Sequence, residues 1–161
     1  MILDSLRSFA TRLLVVLTIG FTIRAPLSAQ GALSAGTTTE NFDNLAGGLP
    51  AGWSIHTGAT VATLGSAATL NPAAATWANT SGAWKNVAAA DNAGFTGAEN
   101  DATQATASDR ALGIRQTGGF GDPGAAAGFN FSTSGLQVTA ISFSAQMLSV
   151  QARSTIWQLQ Y

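Results

Sequence analysis

Past residue 50, the apolar positions of this chain fall mostly at every second residue. In "WSIHT", Trp53 and Ile55 alternate with Ser54 and His56, the period of a strand with one buried face. "RALGIRQ" sets Leu112 and Ile114 against Gly113 and Arg115, and "AGFNFS" sets Phe129 and Phe131 against Asn130 and Ser132. "LQVTAISFSAQMLSV" carries Leu136 and Val138, then Ile141, Phe143, Ala145 and Met147. The odd step from Val138 to Ile141 predicts a bulge near Thr139-Ala140. "STIWQLQY" alternates Trp157, Leu159 and Tyr161 with polar neighbours. Gly-rich turns separate these runs. The pattern predicts an all-β domain, an antiparallel β-sandwich. It reaches Tyr161 with no turn, cap or polar tail, so the reading expects missing C-terminal strands encoded further on to cover an otherwise exposed edge.

The remaining segments carry weaker signals. Residues 30–39 read as a polar leader, and residues 40–161 as the β domain. "ENFDNLAGGLPAGW" reads as a short strand around Phe42, a turn, then the strand from Trp53. "SAATLNPAAATWANTSGAWKNVAAA" is rich in alanine, which favours helix, but Pro72, the threonines and "NTSG" oppose it. Short extended pieces around Trp77 and from Trp84 to Val87 are expected. "DNAGFTGAENDATQATASD" is expected to be a polar loop.

The N-terminus has a different character. Arg7 and Arg12 precede an uncharged, mostly apolar run from Leu13 to Ile23, and "PLSA" ends at Ala29. That order is the layout of a secretory signal peptide spanning residues 1–29, and eleven apolar residues are too few for a transmembrane helix. Export to the medium or the cell surface is therefore expected, with no membrane span after cleavage. Beyond residue 29 the chain holds four basic and seven acidic side chains, a net charge of −3. No basic footprint for nucleic acid is present. With no cysteine there is neither a disulfide framework nor a thiolate metal site.

Candidate chemistry is sparse. Gly119-Phe120-Gly121-Asp122-Pro123-Gly124 matches G-x-G-x-x-G, but a dinucleotide loop must lead into a helix whose N-terminus faces the pyrophosphate. This one leads into period two, so Asp-Pro-Gly reads as a turn between strands. His56 is the sole histidine and reads as a solvated side chain; no G-x-S-x-G elbow supplies a serine nucleophile. Asp91, Glu99, Asp101 and Asp109 are oxygen donors that would suit a structural calcium, with Glu40 and Asp43 as additional ligands, although their spacing does not match an EF-hand loop. Solvated loop carboxylates are the plainer reading, and no other cofactor is implied. Of the four tryptophans, Trp53 and Trp157 read as core by alternation. Trp77 and Trp84 lie in the irregular region, where exposed rings would provide a stacking surface for sugars.

With these segments in view, the chain resembles the exported β-sandwich modules of large bacterial surface proteins. These are jelly-roll-like domains near the N-terminus of proteins with PEP-CTERM or type IX secretion sorting tails. The resemblance covers roughly residues 40–161. It rests on Phe42-Asp43, on the Leu49-Pro50-Ala51-Gly52-Trp53 turn, on Ala111-Leu112-Gly113-Ile114-Arg115-Gln116 and on the Gly121-Asp122-Pro123-Gly124 turn. It implies a jelly-roll-like sandwich and no catalytic residues. The leading expectation is a non-catalytic extracellular or cell-surface module for adhesion, carbohydrate contact or spacing, with extracellular polysaccharide or surface components as partners. The alternative is an accessory N-terminal domain of a secreted hydrolase, a nuclease or phosphoesterase, with its catalytic part elsewhere.

Overall fold

In a computed structural model, residues 30–90, 95, 100–122, 124–148, 156 and 158–161 are described. The expected signal peptide 1–29 lies outside them, as do Asp91, Glu99, Pro123 and Trp157. Eight strands and one short helix follow in order: β1 (Gly31–Ala32), β2 (Trp53–Thr57), β3 (Ser66–Ala67), β4 (Leu70–Ala75), β5 (Ala83–Ala88), α1 (Asp101–Thr106), β6 (Arg110–Arg115), β7 (Ala125–Phe129) and β8 (Phe131–Ser132). A single 3₁₀ turn, Leu45–Gly47, precedes β2. The described residues are thus mostly strand and loop, all-β in class.

The strands form three sheets, ordered β3-β2-β7, β4-β5-β6 and β1-β8. Pairing is mixed rather than uniformly antiparallel. β2 and β7 run antiparallel with Trp53 opposite Phe129, and β5 and β6 antiparallel with Trp84 opposite Ile114. β4 and β5, however, are parallel neighbours, as are β1 and β8. A parallel pair needs a crossover, here residues 76–82, whose reach of about 23 Å just exceeds a six-residue strand of about 20 Å. Trp77 Nε1 donates to Ala88 O (2.9 Å) at the far end of β5, and Lys85 Nζ donates to Asn79 O (2.9 Å) on the way back. Trp77 therefore sits in a turn, not in the extended piece expected. Pro72 falls where the β4–β5 register shifts between Asn71 and Ala74, the kind of edge position in which a missing N–H is tolerated.

Leu45, Ile55, Leu70 and Trp84 form the core, which draws on both three-stranded sheets, and Phe42, Leu49, Leu112, Ile114 and Phe120 pack around it. Leu45 and Ile55 are almost entirely buried. Phe42 is not in a strand; it adopts a left-handed backbone conformation (φ 64°) and presents its ring edge to Trp53 at 4.8 Å. Trp53 is half-buried, and a row continues from it through Phe129 and Phe131 with centroid spacings of 5.0 and 5.3 Å.

Three further expectations are corrected. The polar loop before β6 contains α1, whose N-cap Asn100 accepts from Thr103 N (3.0 Å). The leader contains β1: Gly31 N donates to Asn130 O (2.8 Å), and Gly52, at φ +85°, lies so close to Gly31 that a side chain there would strike its backbone. Finally, the alternating run from residue 136 joins no sheet among the described residues. Val138, Ile141, Phe143 and Met147 are exposed, as are Leu159 and Tyr161 further on. The G-x-G-x-x-G stretch is a strand-to-strand connection, as its sequence predicts: Thr117 and Phe120 exchange backbone hydrogen bonds of 2.8 and 3.0 Å between β6 and β7.

Two substitutions test this packing. Ile55→Ala is expected to cost about 2–5 kcal/mol, read as a lowered urea midpoint with an unchanged slope. Gly124→Ala is also expected to lower the midpoint, because at φ +80° the new methyl would collide with the Ala59 carbonyl.

Candidate functional site

Arg110, the first residue of β6, is 5 % exposed, and Asn86, two residues from its partner Ala88 in β5, is 3 % exposed. The guanidinium reaches two elements at once. Its Nε donates to Asn86 Oδ1 (2.7 Å) and Nη2 to Asn86 O (3.0 Å), while Nη1 donates to Gln104 O (2.7 Å) and Ala107 O (3.4 Å). Gln104 O belongs to the last turn of α1, where helix carbonyls lack internal partners. Arg110 thus caps α1 and fastens it to the sheet. Its backbone N donates to Asp43 Oδ1 (2.9 Å), and Asn86 Nδ2 donates to Pro72 O (3.0 Å) at the β4 irregularity. All four side-chain bonds of Arg110 end on neutral oxygens, and burial holds the guanidinium below the usual arginine range.

These residues floor a cleft of about 550 Å³ lined by Asp43, Asn86, Ser108 and Arg110, with walls that include Ala73 and Ala105. Alanine walls leave room, and the polar groups at the floor are held in fixed directions by the bonds above. A concave surface with a few placed polar groups is suited to recognition. Sequence reading passed over Asn86 and Arg110. The available signal was that Arg110 is one of only four basic residues after position 29 and opens a strand.

Of the two tryptophans expected to be exposed, Trp84 is 5 % exposed. It lies in the core and donates from Nε1 to His56 O (3.2 Å), so it offers no face to a ligand. Trp77 is half-buried, with its backbone N bonded to Gln104 Oε1 (2.7 Å) and an edge contact to Phe95. It does not line the cleft, but it is tied to the helix that forms one wall. The alternation that assigned Trp53 to the core and left Trp84 open has no information about which face a second sheet covers.

His56 is not simply solvated. Nε2 lies 3.0 Å from Ser54 Oγ, and Nδ1 is buried with no hydrogen-bond partner. A buried N–H left unpaired costs about 1–3 kcal/mol, so the favoured tautomer has the proton on Nε2, donating to Ser54.

The calcium candidates are only partly described. Asp101 is exposed at the start of α1, while Asp109, three residues past its end, accepts Ala89 N through its backbone (3.0 Å). Asp91 and Glu99 lie outside the described residues. Glu40 Oε1 accepts Phe42 N (2.7 Å), and Asp43 is bonded to Asn41 and Arg110. Among the described residues, no three His, Asp or Glu side chains converge into a metal-binding group, and no helix is long and apolar enough to cross a membrane.

Comparison of the chain with protein-family models, curated proteins and solved structures finds no match.

Arg110→Lys is expected to destabilise the protein by about 2–3 kcal/mol, because one ammonium cannot reproduce the fork; thermal unfolding reads this. Lys85 supplies a pH test. Burial, then the charge of Arg115, holds its ammonium below the ordinary 10.5. The unfolded chain therefore binds the proton more tightly, and the Lys85 contribution to stability rises with pH up to that ordinary value before levelling off. The rise in urea midpoint over this window should flatten in Lys85→Met.

Proposed function

We propose that this chain is a non-catalytic extracellular module, a jelly-roll-like β-sandwich that makes contact with carbohydrate at Trp77 and the neighbouring cleft. The observation that carries the reading is the rigid mounting of Trp77 beside fixed polar groups. Its indole N–H is occupied by Ala88 O and its backbone N–H by the Gln104 side chain, so the half-exposed ring is held in place before any ligand arrives. Gln104 in turn accepts from Arg110, which connects the ring to the floor of the cleft. Sugars present a C–H face to an aromatic ring and hydroxyls to amides, carboxylates and guanidinium groups. Trp77 answers the first requirement, and Asp43 and Ser108, which line the cleft, answer the second. Preorganisation of this kind lowers the ordering cost of binding. Export through the N-terminal segment belongs to the same proposal, since it would place the module where polysaccharide is met.

Retention on a panel of insoluble polysaccharides tests the reading. The native protein is expected to be retained by at least one polymer, and Trp77→Ala to weaken retention by about tenfold, the loss of roughly 1.4 kcal/mol of ring contact. The thermal transition of the variant should stay cooperative. Absence of retention on every polymer, or equal retention of both proteins, would remove the proposal.

A further inference from the structure

The open edges of the sheets are not equally protected. β4 carries Pro72 and a register shift, β3 has two residues, and β6 begins and ends with arginine. Each device discourages the addition of another strand. β7 has none of them: it is five residues long, Ala-Ala-Ala-Gly-Phe, and ends the order β3-β2-β7. The bonds Gly58 N to Gly124 O and Asn130 N to Gly52 O (both Asn130 and Gly58 at 2.8 Å) place the even-numbered residues toward β2. In an antiparallel ladder, the N–H and C=O groups of Ala125, Ala127 and Phe129 then face the open side.

A strand-like segment begins just past this edge. After β8, Leu136 N donates to Thr133 O (2.8 Å) and Gly135 has φ +73°, a reversing turn with glycine at its third position. The next residues alternate as a strand does, yet Ile141 is 61 % and Phe143 67 % exposed. No charged residue occurs between Gly124 and Leu148. At the far end, Gln160 Nε2 donates to Val61 O (3.2 Å), in the loop whose Gly58 is bonded to Gly124 at the start of β7. The turn at Thr133–Leu136 therefore delivers the segment to the open edge beside β8.

We infer that residues 136–147 are a strap that closes onto β7 as a hairpin strand, making a fourth member of that sheet. The register follows from the turn. A Thr133–Leu136 closing pair sets Val138 opposite Phe131, and the extra residue at Thr139-Ala140 then sets Ile141 opposite Phe129, Phe143 opposite Ala127 and Ala145 opposite Ala125. Val138 and Ile141 then meet aromatic rings and Phe143 meets an alanine, and all lie on the side of Phe129 that stacks on Trp53. Closure satisfies the outward backbone groups of β7 and removes the exposed side chains from water. The proposal stands apart from carbohydrate contact, since Trp77 and the cleft belong to the other three-stranded sheet and α1.

The chain has no cysteine, so introduced pairs report on register directly. Under mild oxidation, Ala125→Cys with Ala145→Cys is expected to form an intrachain disulfide at least about tenfold faster than the mismatched Ala125→Cys with Ala140→Cys. On the unmodified chain, the amides of Ala125, Ala127 and Phe129 should exchange with deuterium as slowly as amides within β5. Equal rates for the two cysteine pairs, disulfides only between chains, or loop-like exchange at those three amides would each overturn the strap.

Discussion

Carbonyl oxygens left without partners must be satisfied wherever a short helix ends, and the guanidinium of Arg110 meets that need while also reaching across to β5. Its bonds to Asn86, Gln104 and Ala107 join strand, helix and loop in a region where many side chains are alanine. Alanine contributes little buried area, roughly a third of what a leucine adds. The chain therefore relies on directed hydrogen bonds where a larger domain would rely on apolar volume. The same fork sets the floor of the cleft, links through Gln104 to Trp77, and places the backbone of β6 against Asp43. Cleft, helix position and ring mounting are consequences of one buried cation.

The legible part of the fold was the part where local alternation coincides with pairing. Trp53–Thr57, Arg110–Arg115 and the stretch 127–132 are read as extended and lie in strands, the last split into β7 and β8 at Asn130. Leu70–Ala75 is not, because three successive alanines give no contrast between faces and Pro72 argues against a strand interior. α1 was hidden in a polar stretch, although Asn100 is a good cap and the residues after it favour helix. Parallel pairing of β4 and β5 was beyond reach of periodicity, since a strand has the same alternation whichever way its neighbour runs.

The site was less legible than the fold. Trp77 was picked out for lying in an irregular region, and that region is a surface turn. Trp84 was picked out for the same reason and is in the core, because burial depends on which sheet lies opposite. Asn86 and Arg110 gave little warning: asparagine and arginine in a strand normally point to solvent. Their burial rests on bonds that sequence spacing does not show: to each other across 24 positions, and to the carbonyls of Pro72, Gln104 and Ala107.

The pairing of β1 with β8 joins Gly31 to Phe131, so one of the first described segments to be synthesised waits for one of the last. Two residues held between β2 and β8 cannot nucleate structure by themselves, and the cost of closing so long a loop is met only after the other strands are in place. The N-terminal end of the domain is therefore a late-locking clasp. Until the ribosome has released Phe131, Gly31 and Ala32 stay available to whatever handles the chain before it folds.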